Sequence, residues 1–263
     1  MIGFPEPLLG LRPQRLAVLY STDDWLALDK PAGIQILSDN WYPKVPVLTE
    51  AINYQAGNEK PELQRLGIGS DGVRAVYSME PDMSGVALFA KNHEAGEYLK
   101  NEYGSEAFQM TIEFISEESP EGNEFFCKLP IARHGAKAEV LVSHRTGKQA
   151  KTHFVRQEKL GRYGLWHAHV TFYRMHQLFV HAREVGLLVM GDQVYGRSRP
   201  LYLSQIKRNY RSSQRREERP LFDGCAMHLR ELEGKTKNGD NFSIVSPRPS
   251  KLNVLIKRLR DFG

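Results

Sequence analysis

Histidines are the first residues in this 263-residue chain that could do chemistry: five of the nine (His153, His167, His169, His176, His181) fall within 29 positions. Imidazoles at that density serve as metal ligands or as acid–base groups near neutral pH. His167 and His169 would share one face of a strand, yet no carboxylate or cysteine stands at a ligand spacing beside them. Solvated or hydrogen-bonded histidines are therefore expected, and no metal site is assigned. Other chemical signatures are missing. Gly147-Lys148 is followed by Gln149 and lacks the upstream glycine of a phosphate-cradling loop, and His93-Glu94 finds no second histidine at the spacing of a zinc-protease helix. Ser84 precedes Gly85 but has Asp82 where a strained nucleophile turn needs glycine. Cys127 and Cys225 lie 98 positions apart. Free buried thiols in a reducing compartment, the cytoplasm, are the expectation.

Three stretches read together carry more. Asp24-Trp25-Leu26-Ala27-Leu28-Asp29-Lys30-Pro31-Ala32-Gly33-Ile34 reads as a strand ending in Asp-Lys-Pro-x-Gly. Asp82-Met83-Ser84-Gly85-Val86-Ala87-Leu88-Phe89-Ala90-Lys91-Asn92 is a turn feeding an apolar strand. His176-Gln177-Leu178-Phe179-Val180-His181 is followed by Gly191-Asp192-Gln193-Val194-Tyr195-Gly196. In order and spacing the chain resembles the RluA-type family of RNA pseudouridine synthases from about Leu16 to Leu259. The resemblance implies an α+β fold with a bent, mostly antiparallel mixed sheet flanked by helices and loops, and an RNA-binding cleft across it. It implies a reaction without cofactor or metal, in which the N1–C1′ bond of a uridine in RNA breaks and the base rejoins through C5. It also implies structured RNA, rRNA or tRNA, as partner. The small N-terminal RNA-binding module of many relatives is not expected, because the first family strand begins near Leu16.

That chemistry needs a base flipped into a pocket, a carboxylate at the sugar–base junction, a phenol stacked on the base, and an arginine that keeps the carboxylate ionised and aimed. In the family the carboxylate is the Asp of His-Arg-Leu-Asp-Arg-x-Thr-Ser-Gly. With Ser84-Gly85 fixing the register, this chain reads Tyr77-Ser78-Met79-Glu80-Pro81-Asp82-Met83-Ser84-Gly85, so Glu80 takes the Asp position and Ser78 that of the preceding Arg. The stacking tyrosine falls at Met110, with Tyr103 seven residues upstream and out of register. The family's Gly-Arg-x-His-Gln-Ile-Arg reads Tyr173-Arg174-Met175-His176-Gln177-Leu178-Phe179, so Phe179 replaces the ion-pairing Arg, while Arg174, His176 and Gln177 match. A glutamate carries its carboxylate more than ~1 Å further out, and misplacement on that scale costs on the order of 100-fold in rate. Phenylalanine in place of arginine favours the neutral acid. Three changes in groups that act as a unit point to an impaired or lost catalytic function.

The elements that must position these residues are legible in outline. Leu16–Tyr20, Trp25–Asp29, Val73–Met79, Gly85–Lys91, Phe108–Ile115, Glu124–Leu129, Thr152–Gln157, Gly164–Phe172, Ala226–Leu232 and Phe242–Val245 read as strands. Val47–Ala56, His93–Tyr103, His176–Val185 and Lys251–Leu259 carry helical spacing. Strands and helices mix without regular alternation, which predicts an α+β domain on a mixed or mainly antiparallel sheet. One domain over residues 16–263 is the simplest division, preceded by an extension at 1–15.

Composition excludes other classes. Hydrophobic residues are 41% and charged residues 25%, which rules out collagen-like, disordered and disulfide-scaffold chains. No run reaches the roughly 18 apolar residues of a membrane span, and the N-terminus lacks the signature of a signal peptide, so no membrane is expected. The net charge of +5 is unevenly placed: Arg197–Arg219 holds eight basic residues against Glu217 and Glu218, and the other 240 residues sum to −1. This segment reads as an exposed basic excursion, and Lys207, Arg208, Arg211, Arg215 and Arg216 are, with Arg174, His176 and Gln177, the expected RNA-binding residues. Three functions are open at this point: an RNA-binding protein without catalysis, an active synthase using Glu80, and a protein-interaction module on the same scaffold.

Overall fold

Every residue of Ser84–Ala90 is buried, as an uninterrupted apolar run in a central strand requires. The computed structural model that places it describes residues 1–117, 120–196, 198–208, 210 and 217–263. In chain order the elements are β1 (Ile2–Phe4), β2 (Gln14–Leu16), β3 (Val18–Ser21), β4 (Trp25–Lys30), α1 (Leu48–Gly57), α2 (Pro61–Arg65), β5 (Arg74–Ala75), β6 (Ser84–Ala90), α3 (His93–Gly104), β7 (Gln109–Ser116), β8 (Glu124–Cys127), β9 (Ile131–Arg133) and β10 (Val140–Val142). There follow β11 (Thr152–Leu160), β12 (Tyr163–Val170), α4 (Gln177–Glu184), α5 (Leu203–Ile206), β13 (Met227–Lys235), β14 (Asn241–Val245) and α6 (Ser250–Phe262). Mixed helices and mostly antiparallel strands make the fold α+β, as expected.

The chain forms two compact units, each assembled from separate segments. The first comprises Met1–Met110, Thr171–Met175 and Leu229–Pro247; the second comprises Thr111–Val170, His176–His228 and Arg248–Gly263.

In the first unit β3, β4 and β6 pair antiparallel in sequence, β5 joins β6, and β13 pairs antiparallel with β14. Glycine at position 85 is a steric necessity: its φ is +123°, and a Cβ there would lie 2.1 Å from the Leu229 carbonyl oxygen. Helix α3 starts where the Asn92 side chain accepts the Ala95 N–H at 2.8 Å, a side-chain cap that satisfies an otherwise orphaned donor. Residues 1–15 hold more than a tail. Strands β1 and β2 pair antiparallel, and Ile2, Phe4 and Leu9 are buried. Three-residue strands are too short to leave a period in the sequence, which is why this hairpin was not foreseen.

In the second unit β8, β11 and β12 pair antiparallel, and β9 and β10 make a separate hairpin that sequence reading also missed. Helix α6 follows the expected stripe: Leu252, Leu255, Ile256 and Leu259 are buried in one cluster with Ile115, Leu160, Tyr163 and Leu165. The expected strand Val73–Met79 shrinks to Arg74–Ala75, because the chain after Tyr77 leaves the ladder to form the loop that carries Glu80.

Among the described residues no helix is long and apolar enough to cross a membrane. Both cysteines are free and buried.

Candidate functional site

In the first unit the Asp-Lys-Pro-x-Gly motif serves as a clamp for the Glu80 loop. The Lys30 side chain is fully buried, and its Nζ donates to the carbonyls of Ile34 at 2.6 Å, Pro31 at 3.1 Å and Pro81 at 3.1 Å. Gly33, at φ +87°, adds its own N–H to the Pro81 carbonyl at 2.8 Å. Burial pushes the Lys30 amine down to about 7, against the opposing pull of the Asp82 and Glu80 charges. Below Pro81, the Tyr77 hydroxyl donates to the Val86 carbonyl at 2.8 Å, and Met83 N–H donates to the Glu80 carbonyl at 3.1 Å. The loop therefore has a fixed shape before any ligand arrives.

Glu80, at the position expected for the catalytic carboxylate, is only 2% exposed. The Tyr173 hydroxyl lies 2.7 Å from Oε1 and 2.8 Å from Oε2 and donates to the carboxylate. Tyr173 is itself held at both backbone ends by one phenol. Tyr103 donates its hydroxyl to the Tyr173 carbonyl at 2.8 Å and accepts the Tyr173 N–H at 3.0 Å. The Tyr103 ring stacks on Phe172 with centroids 4.4 Å apart, and the Arg174 guanidinium lies 4.6 Å over the Phe172 ring. Burial raises the Tyr103 hydroxyl well above its ordinary range and the Glu80 charge adds to this, while the bond to Tyr173 and the Arg174 charge pull it down. A phenol so held stays protonated and acts as a donor. Met110, at the position expected for the stacking tyrosine, is a buried thioether at the start of β7.

Sequence reasoning set Tyr103 aside and did not single out Tyr173. The signal for Tyr173 was available: it stands where the family motif has glycine, directly before Arg174. A ring where the motif has no side chain has to occupy space beside that motif.

In the second unit Phe179 is buried on α4 and stacks on Tyr195 with centroids 5.9 Å apart. His176 enters α4 in the left-handed region at φ +62°, a conformation that costs energy in a non-glycine residue. The Tyr195 hydroxyl stabilises it: Val140 N–H donates to that oxygen at 2.7 Å, and the oxygen lies 2.7 Å from His176 Nδ1. Gln177 donates to the Lys151 carbonyl at 2.9 Å and Thr152 Oγ1 at 3.0 Å, and His181 Nε2 donates to the Leu129 carbonyl at 3.0 Å. Asp192 accepts the backbone N–H groups of Val194, Tyr195 and Gly196 at 2.8–2.9 Å, which shapes the loop that presents Tyr195. His176 and Gln177 are thus buried, with protein partners, whereas Arg174 is half-buried and Arg208 exposed. Lys207 sits 5.2 Å over the Phe262 ring. Arg211, Arg215 and Arg216 lie outside the described residues.

The histidines of β11 and β12 also have protein partners. His169 Nδ1 lies 3.1 Å from Thr111 Oγ1, His153 Nε2 is 2.6 Å from Glu124 Oε1, and His167 Nε2 is 3.4 Å from Glu113 Oε2. Among the described residues no group of three or more histidine, cysteine or acidic side chains is arranged to hold a metal ion. Glu113 has a second function in stability. Burial would raise its carboxyl, but bidentate bonding from Arg248, with Nη2 2.6 Å from Oε2, and the bond from His167 hold it down at about 2. A carboxyl depressed from 4.5 to about 2 contributes stability that is complete above pH 4.5 and is lost as pH falls towards 2. Denaturant titrations at successive pH values should show this loss in the natural chain and a shallower one in Arg248→Met. Parallel curves would rule out the pair as its source.

No protein-family model matches the sequence. Curated proteins do. The chain is 25% identical over 263 residues to an uncharacterised RNA pseudouridine synthase of Chlorobaculum parvum, covering 97% of this chain and 78% of that protein. It is 24% identical over 262 residues to the uncharacterised RNA pseudouridine synthase YlyB of Bacillus subtilis, covering 98% of this chain and 78% of that protein. Ribosomal large subunit pseudouridine synthase D of Nitrosomonas europaea is 26% identical over 191 residues, which is 70% of this chain and 51% of that protein. Among solved structures, human RNA pseudouridylate synthase domain containing 4 superposes with a TM-score of 0.68 at 13% identity, covering 93% of both chains. Human RNA pseudouridylate synthase domain containing 1 gives 0.60 at 17% identity, covering 94% of this chain and 95% of that one.

Proposed function

For this chain, a homologue of the RluA-type RNA pseudouridine synthases with their fold, we propose RNA binding in which the family's catalysis is impaired or lost. The observation that carries the reading is the Glu80 carboxylate, buried, with the single Tyr173 hydroxyl set between its two oxygens at 2.7 and 2.8 Å. A nucleophile or general base must present a lone pair to the reacting sugar or base. Here the carboxylate is shut off from solvent and a phenol of the protein lies against it. Met110 brings no phenol and Phe179 no guanidinium, so neither can compensate. RNA binding draws on Arg174, on Lys207 and Arg208, and on the remaining basic residues of Arg197–Arg219, which hold the entire positive excess of the chain. His176 and Gln177 act in this reading by fixing the loop between them and Tyr195. The free, buried thiols fit a cytoplasmic protein.

The test is to incubate the protein with total RNA from cells that lack it and to map pseudouridine by chemical labelling and mass spectrometry. No new pseudouridine is expected, while RNA is retained with an affinity that falls steeply with salt. Neutralising Arg208, Arg211, Arg215 and Arg216 should flatten that salt dependence. A new stoichiometric pseudouridine that disappears in Glu80→Ala would establish an active synthase instead. Salt-insensitive binding would favour a protein-interaction module.

A further inference from the structure

The second unit holds a cavity of about 900 Å³ that plays no part in the positions discussed above. Three exposed polar side chains, Arg162, Arg199 and Gln205, line it together with the buried Met190 and Leu201. Its volume is at the upper end of the ~300–1,000 Å³ typical of pockets that hold small organic groups.

The Arg162 side chain and the backbone that carries Arg199 are placed in advance. Arg162 sits at the β11–β12 turn, its guanidinium 5.0 Å from the centre of the Tyr163 ring and donating to the Tyr163 hydroxyl at 2.7 Å. The backbone before Arg199 is fixed by Ser198, whose N–H donates to the Asp192 carbonyl at 2.8 Å and whose carbonyl accepts from Gln193 Nε2 at 2.7 Å. Ser198 Oγ accepts the Gly191 N–H at 2.9 Å and donates to Glu117. Glu117, the one carboxylate lining the cavity among the described residues, is thereby engaged with Ser198. Two residues on, the Leu201 carbonyl accepts the Leu221 N–H at 2.7 Å. Among the described residues neither Arg162 nor Arg199 forms an ion pair with a carboxylate. Gln205 spends its Oε1 on the Tyr202 N–H, which leaves its amide N–H₂ as a donor. Guanidinium forks and an amide donor around an apolar floor suit a phosphate with a sugar or base beneath it.

We infer that this cavity is an RNA-phosphate subsite, in which Arg162 and Arg199 take a backbone phosphate of a single-stranded segment and Met190 and Leu201 support the attached nucleotide. The inference rests on the RNA-binding reading and places a contact outside the catalytic positions. It also joins Arg162, remote in sequence, to the start of the basic segment.

The test compares the natural chain with Arg162→Ala/Arg199→Ala and with Arg162→Lys/Arg199→Lys, using a labelled single-stranded RNA at several salt concentrations and thermal melting as the check on folding. Loss of the shared phosphate contact should weaken binding on the order of tenfold and lower the slope of log K against log salt by about 0.7, the value for one phosphate on a single strand. The lysine pair should keep most of the slope. Photocrosslinks from 4-thiouridine RNA should fall on the peptides containing Tyr163 and Arg199–Gln205. If the natural chain binds RNA but the folded alanine pair keeps its affinity and slope, the subsite is wrong and the RNA-binding reading stands. If the natural chain binds no RNA at low salt, the RNA-binding reading fails and the subsite with it. Uridine monophosphate is the third arm: if it binds and is lost in the alanine pair while RNA binding is untouched, the cavity takes a free nucleotide and the RNA subsite is overturned.

Discussion

Replacing Ser78→Arg, Glu80→Asp, Pro81→Arg, Met110→Tyr, Tyr173→Gly and Phe179→Arg together is expected to convert this chain into a working pseudouridine synthase, with product at least ~100-fold above the natural chain. The first five changes all lie in one compact unit, and the sixth supplies the guanidinium on which the family motif ends. The decisive comparison is the same variant with Tyr173 retained. If the Tyr173 hydroxyl blocks the carboxylate, as its 2.7 and 2.8 Å approach to the two Glu80 oxygens implies, that variant stays silent although every family residue around it has been restored. The groups act as a unit, so partial restorations should give little, and their effects should not multiply independently. Mass-spectrometric mapping on transcribed RNA provides the readout. Equal activity with and without Tyr173→Gly would remove Tyr173 from the account. Deleting a buried ring costs ~3–5 kcal/mol, so if the glycine variant does not fold, Tyr173→Phe in the same background removes the hydroxyl alone.

Lys30→Met is expected to destabilise the protein by about 3 kcal/mol and to lower Tm by roughly 6–12 °C. Methionine keeps much of the volume but leaves the buried carbonyls of Pro31, Ile34 and Pro81 without the Nζ donor, and of these Pro81 retains the Gly33 N–H. The effect depends on pH in a defined direction. The Lys30 amine is lowered from 10.5 to about 7 in the folded chain, so folding releases a proton between those values. Stability gained from this group is therefore complete above pH 10.5 and lost as pH falls to about 7. The gap between natural chain and variant should widen from pH 7 towards pH 10 in denaturant titrations. A gap that stays constant would show that the lysine does not titrate in this window, and no gap at all would remove it from the clamp on the Glu80 loop.

How much of this was legible in the sequence differs from residue to residue. Helix α6 was readable because a buried helix face repeats every three to four residues, and Leu252, Leu255, Ile256 and Leu259 declare it. Strand β6 was readable as an apolar run between turn residues. The hairpins β1–β2 and β9–β10 were not, since three residues carry no period, and their pairing is decided by what lies against them. At the site, spacing to Ser84-Gly85 and to His176-Gln177 is the ground on which Glu80 and Phe179 are expected to be substitutions.

By itself, then, the sequence determined the α+β class and the order and spacing of the motifs that carry the resemblance, because each of these is a local property of type and spacing. Only the tertiary structure decided which distant groups those residues touch. Tyr173 reaches Glu80 across 93 positions, Tyr103 holds Tyr173 across 70, and Lys30 reaches the Pro81 carbonyl across 51. Arg162 and Arg199 come to line one cavity because β11, β12 and the Ser198 loop meet in the same unit. A one-dimensional pattern records periodicity and composition. It does not record which distant donors and acceptors are driven into the same water-free space, and inside that space each must find a partner or bear the full cost of burial.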